Sequence, residues 1–344
     1  MKRVNWALAL LVTVMVSSSN LVMAQLHNDA DTGKWIKDGF DVQKVTNIGE
    51  QIIRMGVGHG GSFGTDLIVT TYEGKRVYRI NSGGQKTLVG QTPYVISGIA
   101  SPNPGSAFGD YVYLGAGTSY YSGDSSIYRM DSQGHVEKFF DGHNFLGETM
   151  GAIGFAPPNS PYGNYLYTYD RGSQQIYRID ANGTATTFTS LGNELARDII
   201  FDTTGQFDNQ LLVVSGQSGP GNIYKVAPDG SKTTLQAGAF YKGGGAVTPL
   251  NSPFGGKLYV VENYWPSLPC DIYSVSPNGS YEIFARNFNS WDESSLVYGA
   301  DGNLYTFDRN IGNGTGEIYR IVPEPAMLSM LVLGGLTLLR RRKS

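Results

Sequence analysis

Short stretches of alternating apolar and polar residues recur along most of the chain. Segments built like "IYRID", which contains Tyr177, place apolar side chains at every second position, as a half-buried β-strand requires. A turn pair such as Asn182-Gly183 or Asp229-Gly230 follows, and then a second alternating stretch. Because these pairs readily adopt positive φ angles, the pattern predicts β-hairpins. No helical periodicity lies between them.

The same pattern returns in six copies. Two further short apolar stretches precede the hairpin in each copy, such as "GAIGFAP" and "NYLYTYD" in the third. Four short antiparallel strands repeated in this way predict an all-β protein, a six-bladed β-propeller. A stacked solenoid is the alternative, but solenoid repeats are usually shorter and less hairpin-like. One tyrosine marks each copy, 46 to 50 residues after the last: Tyr78, Tyr128, Tyr177, Tyr224, Tyr273 and Tyr319.

The sixth copy is incomplete. It stops after "EIYRIV" without a fourth strand, whereas "DGFDVQKVTNIG" (38–49) precedes the first copy and alternates like the missing strand. We expect 38–49 to complete the sixth blade, so that residues 25–322 form one closed ring. This pairing would also cover an open sheet edge, which is otherwise prone to aggregation.

The strand pattern "N-Y-L-Y", followed after a loop by "I-Y-R-I-D-x-x-G", resembles the NHL-repeat and gluconolactonase-like propellers over about 39–322. Gluconolactonase-like enzymes hold a divalent metal at the channel with a glutamate, an asparagine and an aspartate. The resemblance therefore implies a similar metal site here. Their glutamate lies in the first inner strand in a Glu-Gly-Pro-like setting. Here the matching stretch is "GEQIIRMGVG", and Glu50 is not followed by Gly-Pro. The metal ligands therefore do not carry over residue by residue.

The N-terminus has the features of an export signal. Lys2 and Arg3 precede an apolar stretch at 6–16, and small residues lead up to Ala24. This order is typical of a signal peptide spanning 1–24, and the apolar stretch is short for a membrane anchor. We therefore expect the export machinery to act on the chain.

The C-terminus, residues 323–344, resembles the PEP-CTERM sorting signal of Gram-negative bacteria. The resemblance implies an exosortase partner, transient contact of a short hydrophobic helix with the inner membrane, and an extracellular or cell-surface destination alongside exopolysaccharide production. A permanent anchor is the alternative, but residues 326–339 would span only about 21 Å as a helix, short of a ~30 Å hydrocarbon core. The matching motif residues are Pro323, Glu324, Pro325, Arg340, Arg341 and Arg342.

Composition narrows the function only slightly. The formal net charge is −3 and charged residues make up 16%, so no basic excess points to nucleic acid. The single cysteine, Cys270, excludes an intrachain disulfide, and we expect it to be buried as a small apolar residue.

Candidate ligand-binding residues lie beside the predicted inner strands, because propeller ligands usually bind at the mouths of the central channel. Carboxylates grouped at one mouth would suit Ca²⁺, whereas solvated loop charges are the alternative. "DADTG" (29–33) matches only the start of a calcium loop, without its closing glutamate. The candidates upstream of inner strands are Glu148, Glu194, Arg197, Asp198, Asp292 and Glu293. A second set, expected at the opposite end of the sheets, is Asp170, Glu262, Asn263, Asp308 and Arg309.

The sequence favours a binding role over an enzymatic one but leaves both open, since no catalytic constellation is readable. We expect an exported propeller that binds a ligand such as extracellular polysaccharide. A metal-dependent lactonase- or esterase-like hydrolase and a protein-interaction scaffold are the alternatives. Aromatic side chains stack on sugar rings or pack on partner proteins. Those in the predicted loops include Tyr120, Tyr121, Tyr241, Tyr264, Trp265 and Trp291.

Overall fold

The computed structural model of the protein describes residues 25–116, 125–142, 152–216, 220–238, 240, 242–262, 269–289, 295–310 and 314–325. The predicted signal peptide (1–24) and the apolar and basic parts of the C-terminal signal lie outside these ranges. The described residues form six antiparallel sheets, which confirms the six-bladed, all-β propeller with a core of four strands per blade. Within them, no helix has the length and apolar character needed to cross a membrane.

The strands follow the repeat, because each alternating stretch buries its apolar face against a neighbouring blade. The N-terminal segment contributes β1 (Leu26–Asn28), β2 (Trp35–Lys37) and β3 (Phe40–Asn47). Blades one to three are β4 (Ile52–Val57), β5 (Leu67–Thr71), β6 (Arg76–Ile80) and β7 (Lys86–Gln91); β8 (Ile96–Ala100), β9 (Val112–Ala116), β10 (Ile127–Met130) and β11 (Val136–Phe140); and β12 (Ile153–Phe155), β13 (Leu166–Asp170), β14 (Gln175–Ile179) and β15 (Ala185–Ser190).

Blades four to six continue in the same order. The inner strands β4, β8, β12, β16, β20 and β24 contact one another in sequence around the channel, and β24 returns to β4. The strands are β16 (Ala196–Phe201), β17 (Leu211–Ser215), β18 (Ile223–Val226) and β19 (Lys232–Gln236); β20 (Lys242–Val247), β21 (Leu258–Glu262), β22 (Cys270–Val275) and β23 (Tyr281–Phe288); and β24 (Val297–Tyr298), β25 (Leu304–Asn310) and β26 (Thr315–Pro323).

The two ends of the ring meet in blade six. Strand β3, which lies within the segment 38–49 considered above, pairs antiparallel with β26 as the fourth strand of that blade. Val42 lies opposite Ile321, and Phe40 lies opposite Pro323. The last strand of the repeat therefore continues one residue into the Pro-Glu-Pro motif.

Blade five has six strands rather than the four expected. β2 pairs with the outer strand β23, and β1 pairs with β2 at the edge. These two strands have three residues each, too short for an alternating pattern to be readable in the sequence. The N-terminal segment thus crosses the joint between blades five and six, since β2 lies in one blade and β3 in the other.

At one end of the propeller, buried aromatic side chains pack between neighbouring blades. In blades one to five, the loop between the first and second strands supplies one buried ring, which packs with strands of the following blade. Tyr162 also binds the next blade through its hydroxyl, which accepts from the Leu211 N–H at 2.9 Å. The rings are Phe63, Phe108, Tyr162, Phe207 and Phe254.

Because β26 also ends at this side of the propeller, at Pro323, we call it the exit end. The opposite side, where the inner strands begin and the second strands finish, is the mouth end. Cys270 is buried, as expected from the sequence.

Candidate functional site

The described members of both candidate sets lie at the mouth end, so for these residues the expectation of opposite ends is wrong. The first and second strands of a blade are antiparallel, and the residue that enters one therefore lies beside the residue that leaves the other. In blade four, the Ser215 hydroxyl at the end of β17 donates to the carboxylate of Glu194, which precedes β16. In blade six, Asp308 Oδ1 accepts from the Asn289 N–H, upstream of β24, at 2.7 Å.

The described part of the mouth contains Glu194, Arg197 and Asp198 from the first set. It also contains Asp170, Glu262, Asp308 and Arg309 from the second. Glu148, Asp292, Glu293 and Asn263 lie outside the described residues, as do the six loop aromatics named above.

An ion pair spans the channel at this end. Arg54 on β4 and Asp198 on β16 come from blades one and four, which face each other across a six-bladed ring, and Arg54 Nη2 lies 3.1 Å from Asp198 Oδ1. The same nitrogen donates to the Arg197 carbonyl at 3.1 Å. Asp198 Oδ2 also accepts from the Gly245 N–H of blade five at 3.0 Å. The side chains are only 8% and 15% exposed, so the pair joins three blades in a largely dry setting.

Burial raises the pKa of Asp198, and the Arg54 charge and the Gly245 and Ile199 N–H groups oppose that rise. A buried carboxylate needs such compensation, because losing one partner of a buried pair leaves an unpaired charge in a low dielectric. Arg54 therefore holds Asp198 in place at the channel.

β-Bulges help to aim these side chains. The pairing of β16 with β17 shifts between Ala196 and Asp198, which makes Arg197 the extra residue. The pairing of β4 with β5 shifts in the same way between Ile52 and Arg54. Bulges bend a strand and redirect its side chains, and they often occur next to functional sites. Here they lie just before both members of the cross-channel pair.

Glu194 is held by its own blade. Its carboxylate accepts from the Ser215 hydroxyl, from Asn222 Nδ2 and, at 2.6 Å, from the Tyr224 hydroxyl. Although partial burial raises the pKa of Glu194, these hydrogen bonds lower it, and the result is a pKa below the usual value.

Glu50 is held by hydrogen bonds from its own blade, blade one, in the same way. It accepts from Thr71 at 2.9 Å, from Tyr78 at 2.8 Å and from Arg76. Tyr78 and Tyr224 are repeat tyrosines, so the same arrangement occurs at corresponding places in two blades. We conclude that Glu194 and Glu50 connect the entrance of the inner strand to the rest of the blade.

Lys34 of the N-terminal segment is the principal mouth-end residue that sequence reasoning missed. Its ammonium group donates to Asp308 and, at 2.7 Å, to the Asn287 carbonyl. It also lies 4.9 Å from the centre of the Phe288 ring and 4.8 Å from that of Tyr319. Burial raises the pKa of Asp308, and Lys34 opposes this effect. Lys34 thus links blades five and six, and no sequence signal ties it to a partner 274 residues away.

Arg309 and Tyr72 form a partly exposed pair at the rim between blades six and one. The guanidinium carbon of Arg309 lies 5.3 Å from the Tyr72 ring centre, and its Nε donates to Gln51 Oε1 at 3.3 Å. An aromatic face beside a guanidinium offers both stacking and hydrogen-bond donors. Arg309 was predicted as a candidate, whereas Tyr72 was not.

The segment 29–33 is a turn and does not resemble a calcium loop in its hydrogen bonding. Asp29 Oδ1 accepts from the N–H groups of Asp31 and Thr32 at 3.1 and 2.9 Å, and Oδ2 accepts from Val42 at 3.3 Å. The carboxylate is therefore used to close the connection between β1 and β2.

The sequence matches no known protein-family profile, and no curated protein resembles it closely. Solved structures share the fold at low identity. A luciferin-regenerating enzyme is 13% identical with a TM-score of 0.57, covering 83% of this chain and 96% of its own. A candidate gluconolactonase is 14% identical with a TM-score of 0.56, covering 84% and 94%. Regucalcin from Agrobacterium tumefaciens, named a calcium-binding protein, is 10% identical with a TM-score of 0.54, covering 81% and 93%. These similarities show that the chain shares its propeller fold with these proteins, and a shared fold does not determine activity.

Proposed function

We propose that this protein is an exported propeller that binds a cell-surface or matrix ligand, with extracellular polysaccharide as our first choice, at its mouth end. The supporting observation is the place where the chain leaves the fold. β26 runs away from the mouth and ends at Pro323, and the Glu324 N–H donates to the Gly39 carbonyl at 2.9 Å. A tail that continues from this point leaves the mouth facing away from whatever the tail contacts.

The C-terminal segment fits this arrangement as a sorting signal. In our proposal, an exosortase recognises Pro323, Glu324 and Pro325 while the apolar helix and Arg340, Arg341 and Arg342 engage the inner membrane. Glu324 is half-buried and Pro325 is exposed, so the motif lies where the propeller surface gives way to the tail. Processing there would leave the propeller outside the cell or on its surface.

The rim pair Arg309 and Tyr72 supplies chemistry suited to a sugar. A sugar ring stacks its C–H face on an aromatic ring, while a guanidinium donates to hydroxyl or carboxylate oxygens. Both side chains are partly exposed and neighbour the channel entrance. We assign them as the first described contacts for the ligand.

A metal-dependent lactonase-like hydrolase is the second candidate, because the fold is shared with a candidate gluconolactonase and with calcium-binding regucalcin. Two described carboxylates at the mouth end, Asp198 and Glu194, suit a Ca²⁺ ion poorly. Asp198 is already paired with the Arg54 guanidinium, so a metal bound to this carboxylate would lie beside a second cation. The Glu194 carboxylate already accepts three hydrogen bonds from its own blade. We therefore derive no reaction step through a metal.

Co-sedimentation of the full-length protein, purified in detergent, with extracellular polysaccharide from the producing cells tests the proposal. We expect retention that falls at least fivefold in Arg309→Ala and in Tyr72→Ala. Tyr281→Ala is the matched control, because Tyr281 is 47% exposed at the exit end and its loss should leave retention unchanged. The proposal would be contradicted if the wild type were not retained, or if Arg309→Ala and Tyr72→Ala were retained as well as the Tyr281→Ala control. Ca²⁺-dependent cleavage of a sugar lactone would instead support the hydrolase.

A further inference from the structure

We propose a divalent-metal site at the exit end, formed by His27, Asp41 and Glu324. Each residue offers one ligand atom, and the three atoms lie within 4.8 Å of one another. Small side-chain rotations would bring all three atoms to ordinary ligand distances of about 2.0–2.2 Å from one ion. The site is separate from the channel and uses none of the mouth-end residues.

Three distant parts of the chain meet here for structural reasons. His27 lies on β1, Asp41 lies on β3, and Glu324 follows β26 directly. Asp41 is opposite Val322 in the pairing of β3 with β26, and the Glu324 N–H bond to the Gly39 carbonyl holds the next residue in place. The ring-closing sheet thus fixes the backbone that carries both carboxylates before any ion binds.

The charges at this place are not balanced by the protein. Among the described residues, neither Asp41 nor Glu324 forms a side-chain hydrogen bond or an ion pair with a lysine or arginine, although both are half-buried. Two carboxylates held this close repel each other, and a cation between them would relieve that repulsion. Carboxylates elsewhere in the described chain, such as Glu50, Glu282 and Asp308, are matched with cationic side chains.

A carboxylate lies beside the His27 imidazole. Its Nδ1 lies 3.3 Å from Asp38 Oδ1, at a distance suited to a weak hydrogen bond. If Nδ1 carries the proton, the lone pair is on Nε2 and is available to a metal. A carboxylate that orients an imidazole in this way is a common outer-shell partner in metal sites.

The donor set selects the ion. One imidazole nitrogen and two carboxylate oxygens suit Zn²⁺, which takes nitrogen and oxygen ligands and commonly keeps a fourth position for water. Ca²⁺ takes oxygen ligands only and usually six to eight of them, so it fits this site poorly. Zn²⁺ bound here would connect the N-terminal strand, the closing strand and the Pro-Glu-Pro motif.

Metal titration of the full-length protein in detergent, after removal of metals by a chelator, tests the site. We expect one equivalent of Zn²⁺ by calorimetry and a visible absorption band when Co²⁺ replaces it. His27→Ala and Glu324→Gln should each weaken the Zn²⁺ Kd at least tenfold. Asp38→Asn should weaken it about tenfold through loss of the outer-shell contact.

His135→Ala is the control. The His135 side chain is 81% exposed, and its Nδ1 lies 2.8 Å from Asp131 Oδ2. It should leave the Kd unchanged. Thermal unfolding of each variant without metal shows whether the fold is intact, and Asp41→Asn serves if one of the others fails to fold. Zn²⁺ binding that is absent, or equal in the wild type, His27→Ala and Glu324→Gln, would overturn the proposal. Failure to bind polysaccharide would leave this result untouched, since the two readouts are independent.

Discussion

The two ends of the propeller are held together by different chemistry. At the mouth end, charged side chains connect separate blades: Arg54 reaches Asp198 across the channel, and Lys34 reaches Asp308 across the joint of blades five and six. At the exit end, buried aromatic rings such as Tyr162 pack against the next blade. The comparison teaches that polar groups at the mouth are already positioned by the fold, whereas the exit end is built for packing and for releasing the chain.

The largest effect that separates the two ends should come from the aromatic rings. Tyr162→Ala should lower the free energy of unfolding by about 3–5 kcal/mol, because it leaves a cavity between blades three and four. Urea unfolding measures this, with exposed Leu250→Ala as the control that changes little. Tyr162→Phe should cost about 1–3 kcal/mol, because it leaves the Leu211 N–H without its acceptor. Equal stability of Tyr162→Ala and the wild type would contradict this packing role.

The next effect belongs to the ring joint at the mouth end. Lys34→Met should lower the free energy of unfolding at pH 7 by about 3 kcal/mol, because Asp308 is left buried without its cation. Adding Asp308→Asn to Lys34→Met should recover part of that loss, since the unpaired charge is then gone. A double variant no more stable than the Lys34→Met single variant would indicate that Lys34 acts through packing on Phe288 and Tyr319 alone.

A smaller, acid-sensitive effect is expected where the N-terminal strands join blade five. Partial burial tends to raise the pKa of Glu282, but hydrogen bonds and charges of Lys257 and Lys37 lower it from 4.5 to about 2. Since the folded pKa is the lower one, the contribution is full above pH 4.5 and is lost as the pH falls towards about 2. Allowing for solvent screening of partly exposed groups, we expect about 1 kcal/mol.

Unfolding of the wild type and Glu282→Gln at a series of pH values measures this contribution. The difference between the two proteins should shrink as the pH falls from 4.5 towards 2. A difference that stayed constant over that interval would contradict the linkage.

A similarly small effect should follow from ending the chain after Val322. The main loss within the described fold is the Glu324 N–H bond to Gly39 and the last pair of the β3–β26 ladder. We expect a folded propeller that is less stable by about 1 kcal/mol. Circular dichroism and thermal unfolding check this, and a truncated chain that did not fold would show that ring closure needs the Pro-Glu-Pro residues.

The repeat can be read clearly from the sequence, whereas the contacts between blades can hardly be predicted from it. The tyrosines and turn pairs predict the blades, because each blade is local in the chain. The hydrogen bond between Glu194 and Tyr224 could also have been predicted. Glu50 precedes Tyr78 by 28 residues, and Glu194 precedes Tyr224 by 30. Lys34 with Asp308 and Arg54 with Asp198 were not predictable, because they join residues that become neighbours only when the ring closes.

The central claim is that the extracellular ligand binds at the mouth end and not at the exit end, where the chain leaves the fold. Hydroxyl-radical footprinting of the full-length protein, with and without bound extracellular polysaccharide, tests it most directly. We predict protection of Tyr72 and Arg309 at the mouth and unchanged labelling of Tyr281 and Leu250, which are exposed at the exit end. The account would be contradicted if polysaccharide protected only Tyr281 and Leu250, or if it left the labelling of both ends unchanged.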